Sequence, residues 1–313
     1  MSTAPSVSVL IPCRNAERFL AATLDSVRRQ TLKPIEVFLV EDGSTDHSPE
    51  IAATYAGFVT VARNPGNGAS AARNHATQLS HGDFLQYLDA DDLLEPHALA
   101  SRVSALEHAG ADVAISDWQR LAEQNGSWQL TKIESGRMAD DGAPLDLQIF
   151  RGFWAPPAAI LYRRPIVRRI DGWMESLPVI QDARFLLDAA RVGGKFVHVP
   201  GVGAVYRQHT QASLSSGSTT RFWRDVLQNT REVEQLWQDA GRFDAVHRAA
   251  IADAFACTTR IGFIHDRALF DAARTELDRF PEQALSSFMR VALPLARLTG
   301  YGPARRLLSH FCR

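Results

Sequence analysis

Five short apolar runs rich in β-branched and aromatic residues recur through the first part of the chain, at Val7 to Ile11, Val37 to Val40, Phe58 to Ala62, Phe84 to Leu88 and Val113 to Ile115. Between them the apolar spacing becomes helical, at about Ala16 to Gln30, Ser48 to Tyr55, Ala69 to Leu79 and Pro96 to His108. Ser48, and either Asp92 or Glu95, are the expected helix starts. Such alternation leaves few solutions. Parallel strands joined by right-handed crossovers and covered on both faces satisfy it, so an α/β fold with a mostly parallel central sheet is predicted. Ligands of such sheets collect at the carboxyl ends of the strands. Three polar clusters fall there, Pro12 to Asn15, Glu41 to Asp46 and Asp89 to Asp92, and one crevice is expected to gather them.

The alternation fades beyond Trp118. Asn125-Gly126-Ser127, followed by Ser135 to Pro144, reads as a hairpin or loop. A second organised block, Phe153 to Tyr206, contains a helix at Gln181 to Arg191 and a strand at Phe196 to Val199, and the spacing from Arg221 to Phe280 is helical. Two regions are therefore expected: an α/β domain over residues 1–220, its halves meeting near residue 118, and a helical region over 221–313. The last stretch, from Ala284, carries Arg290, Arg297, Arg305, Arg306 and Arg313 without an acid.

The chain has 313 residues, 45% of them hydrophobic, which suffices for a large core. A formal net charge of -1 points away from nucleic acid as a partner. Cys13, Cys257 and Cys312 are odd in number and far apart, which fits neither a disulfide framework nor a zinc site and suits a reducing cytoplasm. Met1 to Ser8 lacks a basic leader segment, and no apolar run approaches the roughly 20 residues of a membrane span. The expected location is the cytoplasm, with the basic tail as a candidate contact to the anionic inner face of the membrane; a solvated helix end is the other reading.

In Leu88-Asp89-Ala90-Asp91-Asp92, three carboxylates occupy four positions at a strand end. One acid there would be an ordinary helix cap. Three crowded like charges call for a cation, and oxygen ligands favour a hard one, Mg²⁺ or Mn²⁺, which suggests a metal carrying a diphosphate. Glu41-Asp42-Gly43-Ser44-Thr45-Asp46 reads either as a capping turn or as a place where Asp42 accepts a hydrogen bond from a nucleobase imide or a ribose hydroxyl. Gly66-Asn67-Gly68-Ala69-Ser70-Ala71 precedes Asp89 at about the 20-residue spacing of a dinucleotide fingerprint. That fingerprint belongs at the first strand-helix turn, so a loop presenting Arg73 to an anion or base is the competing reading.

Taken in order, Val7 to Asn15, Glu41 to Asp46, Ala71-Ala72-Arg73-Asn74 and Leu88 to Asp92 resemble family 2 glycosyltransferases of the GT-A fold. The resemblance is strong over the first hundred residues and reaches more faintly to Leu214. It implies inverting transfer of a sugar from a nucleotide-diphosphate donor, most often a UDP-sugar, with a divalent metal. It also implies that Asp42 and Arg73 contact the nucleoside, that Asp89 lies near the ribose, that Asp91 holds the metal, and that Pro12, Arg14 and Asn15 line the nucleotide pocket.

Gly172 to Leu177, leading to Gln181-Asp182-Ala183-Arg184-Phe185, looks like the family's later motif, in which an acidic pair opens a helix. Gln181 replaces the first acid. Asp182 aligns with the catalytic base; without the resemblance it would read as an acid favoured by the helix dipole. Tyr206-Arg207-Gln208-His209 resembles a segment that closes over the diphosphate, making Arg207 and His209 candidate diphosphate or metal contacts. Trp154, Pro156 and Pro157 either line an acceptor cleft or only pack. The implied acceptor is a hydroxyl of a glycan or a lipid-linked sugar in surface polysaccharide synthesis. Two other readings remain: an NAD(P)-dependent oxidoreductase using the Gly66 to Ala71 turn, and a non-catalytic glycan-binding relative permitted by Gln181.

Overall fold

The computed structural model describes residues 5–124, 126–208, 219–280, 290, 294 and 301–308, and the chain divides into two compact units between residues 212 and 213. The first unit is built on one mixed sheet. β1 (Val7–Cys13), β2 (Glu36–Glu41), β3 (Thr60–Arg63) and β4 (Phe84–Tyr87) run parallel in the order β3-β2-β1-β4. α1 (Leu20–Arg28), α2 (Ser48–Ala53) and α3 (Ala69–Leu79) make the connections. β1 and β4 are buried almost throughout, as a strand covered on both faces must be.

Several boundaries move from their expected places. β3 starts two residues later than the apolar run, because Phe58 and Val59 close a turn on Tyr55 O. α1 starts at Leu20, since the chain first makes a turn in which Phe19 and Leu20 both donate to Ala16 O. α4 (Ala98–Ala109) is capped by neither Asp92 nor Glu95; Asp92 faces inward and is fully buried.

Beyond β4 the parallel pattern breaks. β5 (Leu93–Leu94) pairs antiparallel with β9 (Phe196–Gln208), and β8 (Ile160–Arg163) is inserted antiparallel between β4 and β6 (Val113–Gln124). β6 runs far past Ile115, because it forms a long hairpin with β7 (Ser127–Glu134) and pairs in parallel with β9. The hairpin reading of this stretch stands for the described residues, and Asn125 lies outside them. α5 (Leu145–Phe150), a 3-10 turn at Pro157–Ala159, α6 (Arg164–Ile170) and α7 (Gln181–Arg191) complete the unit. Its aromatic core stacks Trp173 on Phe185 at 4.1 Å, with Tyr87 edge-on to both.

The second unit holds α8 (Thr219–Asp239), α9 (Ala245–His265), α10 (Arg267–Leu277) and α11 (Tyr301–Leu308). Asp244 and Asp266 cap α9 and α10 by accepting two backbone N–H bonds each. α9 meets α10 at Gly262, where a Cβ would lie 2.5 Å from Phe270 N. Gly262→Ala would gain about 1 kcal/mol in helix propensity but lose about 1–3 kcal/mol to overpacking against a backbone that cannot yield. Thermal unfolding of the variant is expected at a lower midpoint; an unchanged or higher one would contradict the close approach. Among the described residues no helix is long and apolar enough to cross a membrane. Arg297 and Arg313 of the basic tail lie outside the described residues.

Candidate active site

The first two polar clusters meet where β1 and β2 end. Asn15 adopts a left-handed φ of 51°, a conformation Asn tolerates better than most residues. Its side-chain oxygen accepts from Thr45 N at 2.8 Å, and its own N–H donates to Ser44 Oγ at 3.0 Å. Asn15 thereby ties the two strand ends together beside Pro12, which continues the β1–β2 ladder opposite Val40. Arg14 is 57% exposed and stands 3.7 Å from Asp42 Oδ2.

Asp42 shapes the glycine turn. Its carboxylate accepts from Asn64 Nδ2 at 2.6 Å and from Gly68 N at 3.0 Å, while Asn64 Oδ1 accepts from Gly66 N at 3.1 Å. Gly68 needs its φ of +88° to enter α3. The amides that a dinucleotide site would turn toward pyrophosphate are spent on Asp42 and Asn64, and the turn follows the third strand rather than the first. Asn64 was silent in the sequence; its position just ahead of Pro65-Gly66 was the one available cue.

The third cluster is locked from behind by β9. Arg207 N donates to Asp92 Oδ1 at 2.9 Å, and its guanidinium donates to Asp91 O at 2.8 Å while facing the Phe19 ring at 5.3 Å. Thr23 Oγ1 adds a bond to Ala90 O at 2.9 Å. Burial, then repulsion from Asp91 and Asp89, holds the Asp92 carboxyl well above the usual range, and its Oδ2 is buried without a partner. Burial also raises Asp89, against the pull of Arg73. His209 lies outside the described residues.

Arg73 is 4% exposed at its side chain. It lies over the Trp173 ring at 4.4 Å, donates to Gln181 Oε1 at 2.8 Å and pairs with Asp89. A direct chain therefore links the acid after β4 to the helix that carries Asp182. Gln181 Oε1 also accepts from Ser70 Oγ at 2.8 Å, so this residue serves as a neutral acceptor for α3. It leaves the arginine's charge to Asp89. Gln181 and Trp173 as partners of Arg73, and Ser70 as a second donor to Gln181, carry no local signal.

Asp182 opens α7, with Oδ1 accepting from Ala183 N at 2.8 Å and Oδ2 accepting from Trp154 Nε1 at 2.6 Å. Burial raises its carboxyl above the ordinary aspartate value of 3.8. Tyr206 sits edge-on to Trp154 at 5.4 Å, and its phenol is pushed up by burial and then by Asp92, Asp89, Asp182 and Asp91 together. All four acids thus act on one ring. Among the described residues no group of three or more His, Cys, Asp and Glu is arranged to hold a metal. The crowding of the three acids is relieved within the fold, where Asp92 accepts from Arg207 N and Asp89 pairs with Arg73.

Residues 8–170 match the sequence profile of Glycosyl transferase family 2. A glycosyltransferase of Rickettsia typhi is 30% identical over 234 residues, covering 74% of this chain and 70% of that one. Bacillus subtilis EpsH is 38% identical over 95 residues, 29% of this chain and 28% of its own. The match to EpsJ of the same organism covers 40% of that relative, so the similarity spans less than half the length of either B. subtilis protein. Among solved structures, Staphylococcus aureus TarS 1-349 in complex with UDP superposes with a TM-score of 0.68 at 19% identity, covering 98% of this chain and 91% of that one. The fold is thus the one expected from the resemblance, and the family match overturns the oxidoreductase reading.

Proposed function

The chain belongs to glycosyl transferase family 2, and from that membership we propose that it transfers a sugar from a nucleotide-diphosphate donor to a hydroxyl of a glycan or lipid-linked acceptor. The observation that carries the proposal is the chain Asp89-Arg73-Gln181, which joins the acid cluster at the end of β4 to the helix bearing Asp182. Two acidic sites with different environments suit two tasks: holding a donor and accepting a proton. A UDP-sugar is the favoured donor, a choice supported by the UDP and UDP-GlcNAc bound to TarS.

The reaction is a single displacement with inversion. Asp182 takes the acceptor hydroxyl proton as the oxygen attacks the anomeric carbon; the bond from that carbon to the diphosphate oxygen breaks, and the nucleotide diphosphate leaves. Asp42 receives a base or ribose donor and Arg14 neighbours it, while Asp89 is held by Arg73 toward the ribose. Asp91 would hold Mn²⁺ or Mg²⁺, which, when bound, neutralises charge on the departing diphosphate. Arg207 braces the loop carrying that acid.

Calorimetric titration of UDP, GDP and dTDP into the wild type and Asp91→Ala, with and without Mn²⁺, tests the donor half of this reading. UDP is expected to bind in a metal-dependent way, with roughly 10- to 100-fold weaker affinity in Asp91→Ala, the loss of one strong charge-assisted contact. UDP affinity indifferent to both metal and Asp91 would overturn the metal assignment, and absence of binding by all three nucleotides would overturn the donor class.

A further inference from the structure

Trp154 makes the shortest side-chain contact to Asp182, its indole N–H lying 2.6 Å from Oδ2. An indole nitrogen only donates, so it cannot compete for the proton that a base must take; it satisfies one carboxylate lone pair and leaves others open. The ring has little freedom. It meets the buried Trp118 edge-on at 6.1 Å and Tyr206 at 5.4 Å. The chain then runs through Ala155-Pro156-Pro157 into the 3-10 turn, where Pro157 O accepts from the buried Gln86 at 3.0 Å. Two consecutive prolines fix φ, so backbone and aromatic packing together pre-aim the donor.

We propose that Trp154 is the positioning residue for the base, holding the Asp182 carboxylate in one orientation and in its ionised form. The proposal rests on Asp182 being the base. The groups facing Asp182 come from several elements: Arg73 of α3, Asp89 after β4, Tyr162 of β8, Tyr206 of β9 and the Ala183 amide of α7. Burial raises the Asp182 carboxyl most; among the groups opposing it the Trp154 bond leads, ahead of the Ala183 amide and the Arg73 charge, while Asp89 adds to the rise. Loss of the indole N–H therefore removes the main support of the charged base.

The test uses the full chain labelled at the aspartate carboxyl carbons, with the Asp182 resonance assigned through Asp182→Asn. Trp154→Phe keeps an aromatic ring and removes the donor; a second variant with 3-benzothienylalanine at position 154 keeps the bicyclic shape and replaces only N–H by sulfur. In both, the Asp182 titration midpoint is expected to rise by roughly one pH unit, the equivalent of one hydrogen bond to a charged group. The acid limb of UDP release from UDP-GlcNAc, with water as acceptor, should move by the same amount while KM for the donor stays constant. An Asp182 midpoint unmoved in both variants overturns the proposal and leaves the base assignment standing. UDP release by Asp182→Asn at the wild-type rate overturns the base assignment, and this proposal with it.

Discussion

Asp182→Asn is expected to slow sugar transfer by about 10²- to 10⁴-fold, the usual contribution of a positioned general base, while leaving UDP affinity within a few-fold of wild type. The amide keeps the side chain's shape, and its one oxygen can still accept from Trp154 or from the Ala183 amide, though not from both. What it loses is the capacity to take a proton. The direction of the pH dependence follows from the same carboxyl: burial raises it above 3.8, only the ionised form works as a base, and so transfer falls as pH drops through that raised value. The wild-type acid limb should therefore lie above the ordinary aspartate range. A variant with both full turnover and full donor binding would remove Asp182 from the mechanism.

Arg73→Met is expected to damage the first unit in two measurable ways. Breaking one partner of a buried ion pair costs about 3–5 kcal/mol; Asp89 is 28% exposed and can partly turn to water, so about 2–4 kcal/mol is the better figure. In a unit of 212 residues that lowers the unfolding midpoint by roughly 5–15 °C. Donor affinity should fall as well, because Asp89 loses the cation that holds it. Arg73→Lys should not rescue, since one ammonium cannot reach Asp89 and Gln181 together while covering the Trp173 face. An unfolding midpoint and UDP affinity both equal to wild type would show that the buried guanidinium is dispensable.

How far the sequence could be read differs by element. The β1–β4 half was legible because β1 and β4 are apolar runs buried on both faces, separated by segments of helical apolar period. Asp42, Asp89, Asp91 and Asp182 could be singled out as candidates because each stands at the end of a strand or the start of a helix, where a motif keeps its local spacing. The antiparallel insertion of β8 between β4 and β6 was not legible, since β4 and β8 lie more than seventy residues apart and the run Ile160 to Arg163 is as apolar as any parallel strand. The extension of β9 past Val199 was hidden by Pro200 and Gly201, which read as a stop; in the fold they sit at a shift in the β6–β9 register that lets the ladder resume.

Local composition by itself determined the alternating fold class, the strand ends that carry the acids and, through the order of motifs, the family. Tertiary structure alone decided what those residues touch. Arg73 faces Gln181 and Asp89 across gaps of 108 and 16 positions, and Trp154 meets Asp182 across 28. Period and propensity report the backbone within a few residues, whereas a hydrogen bond between side chains from different elements depends on how the helices and strands pack, and no spacing along the chain encodes that distance.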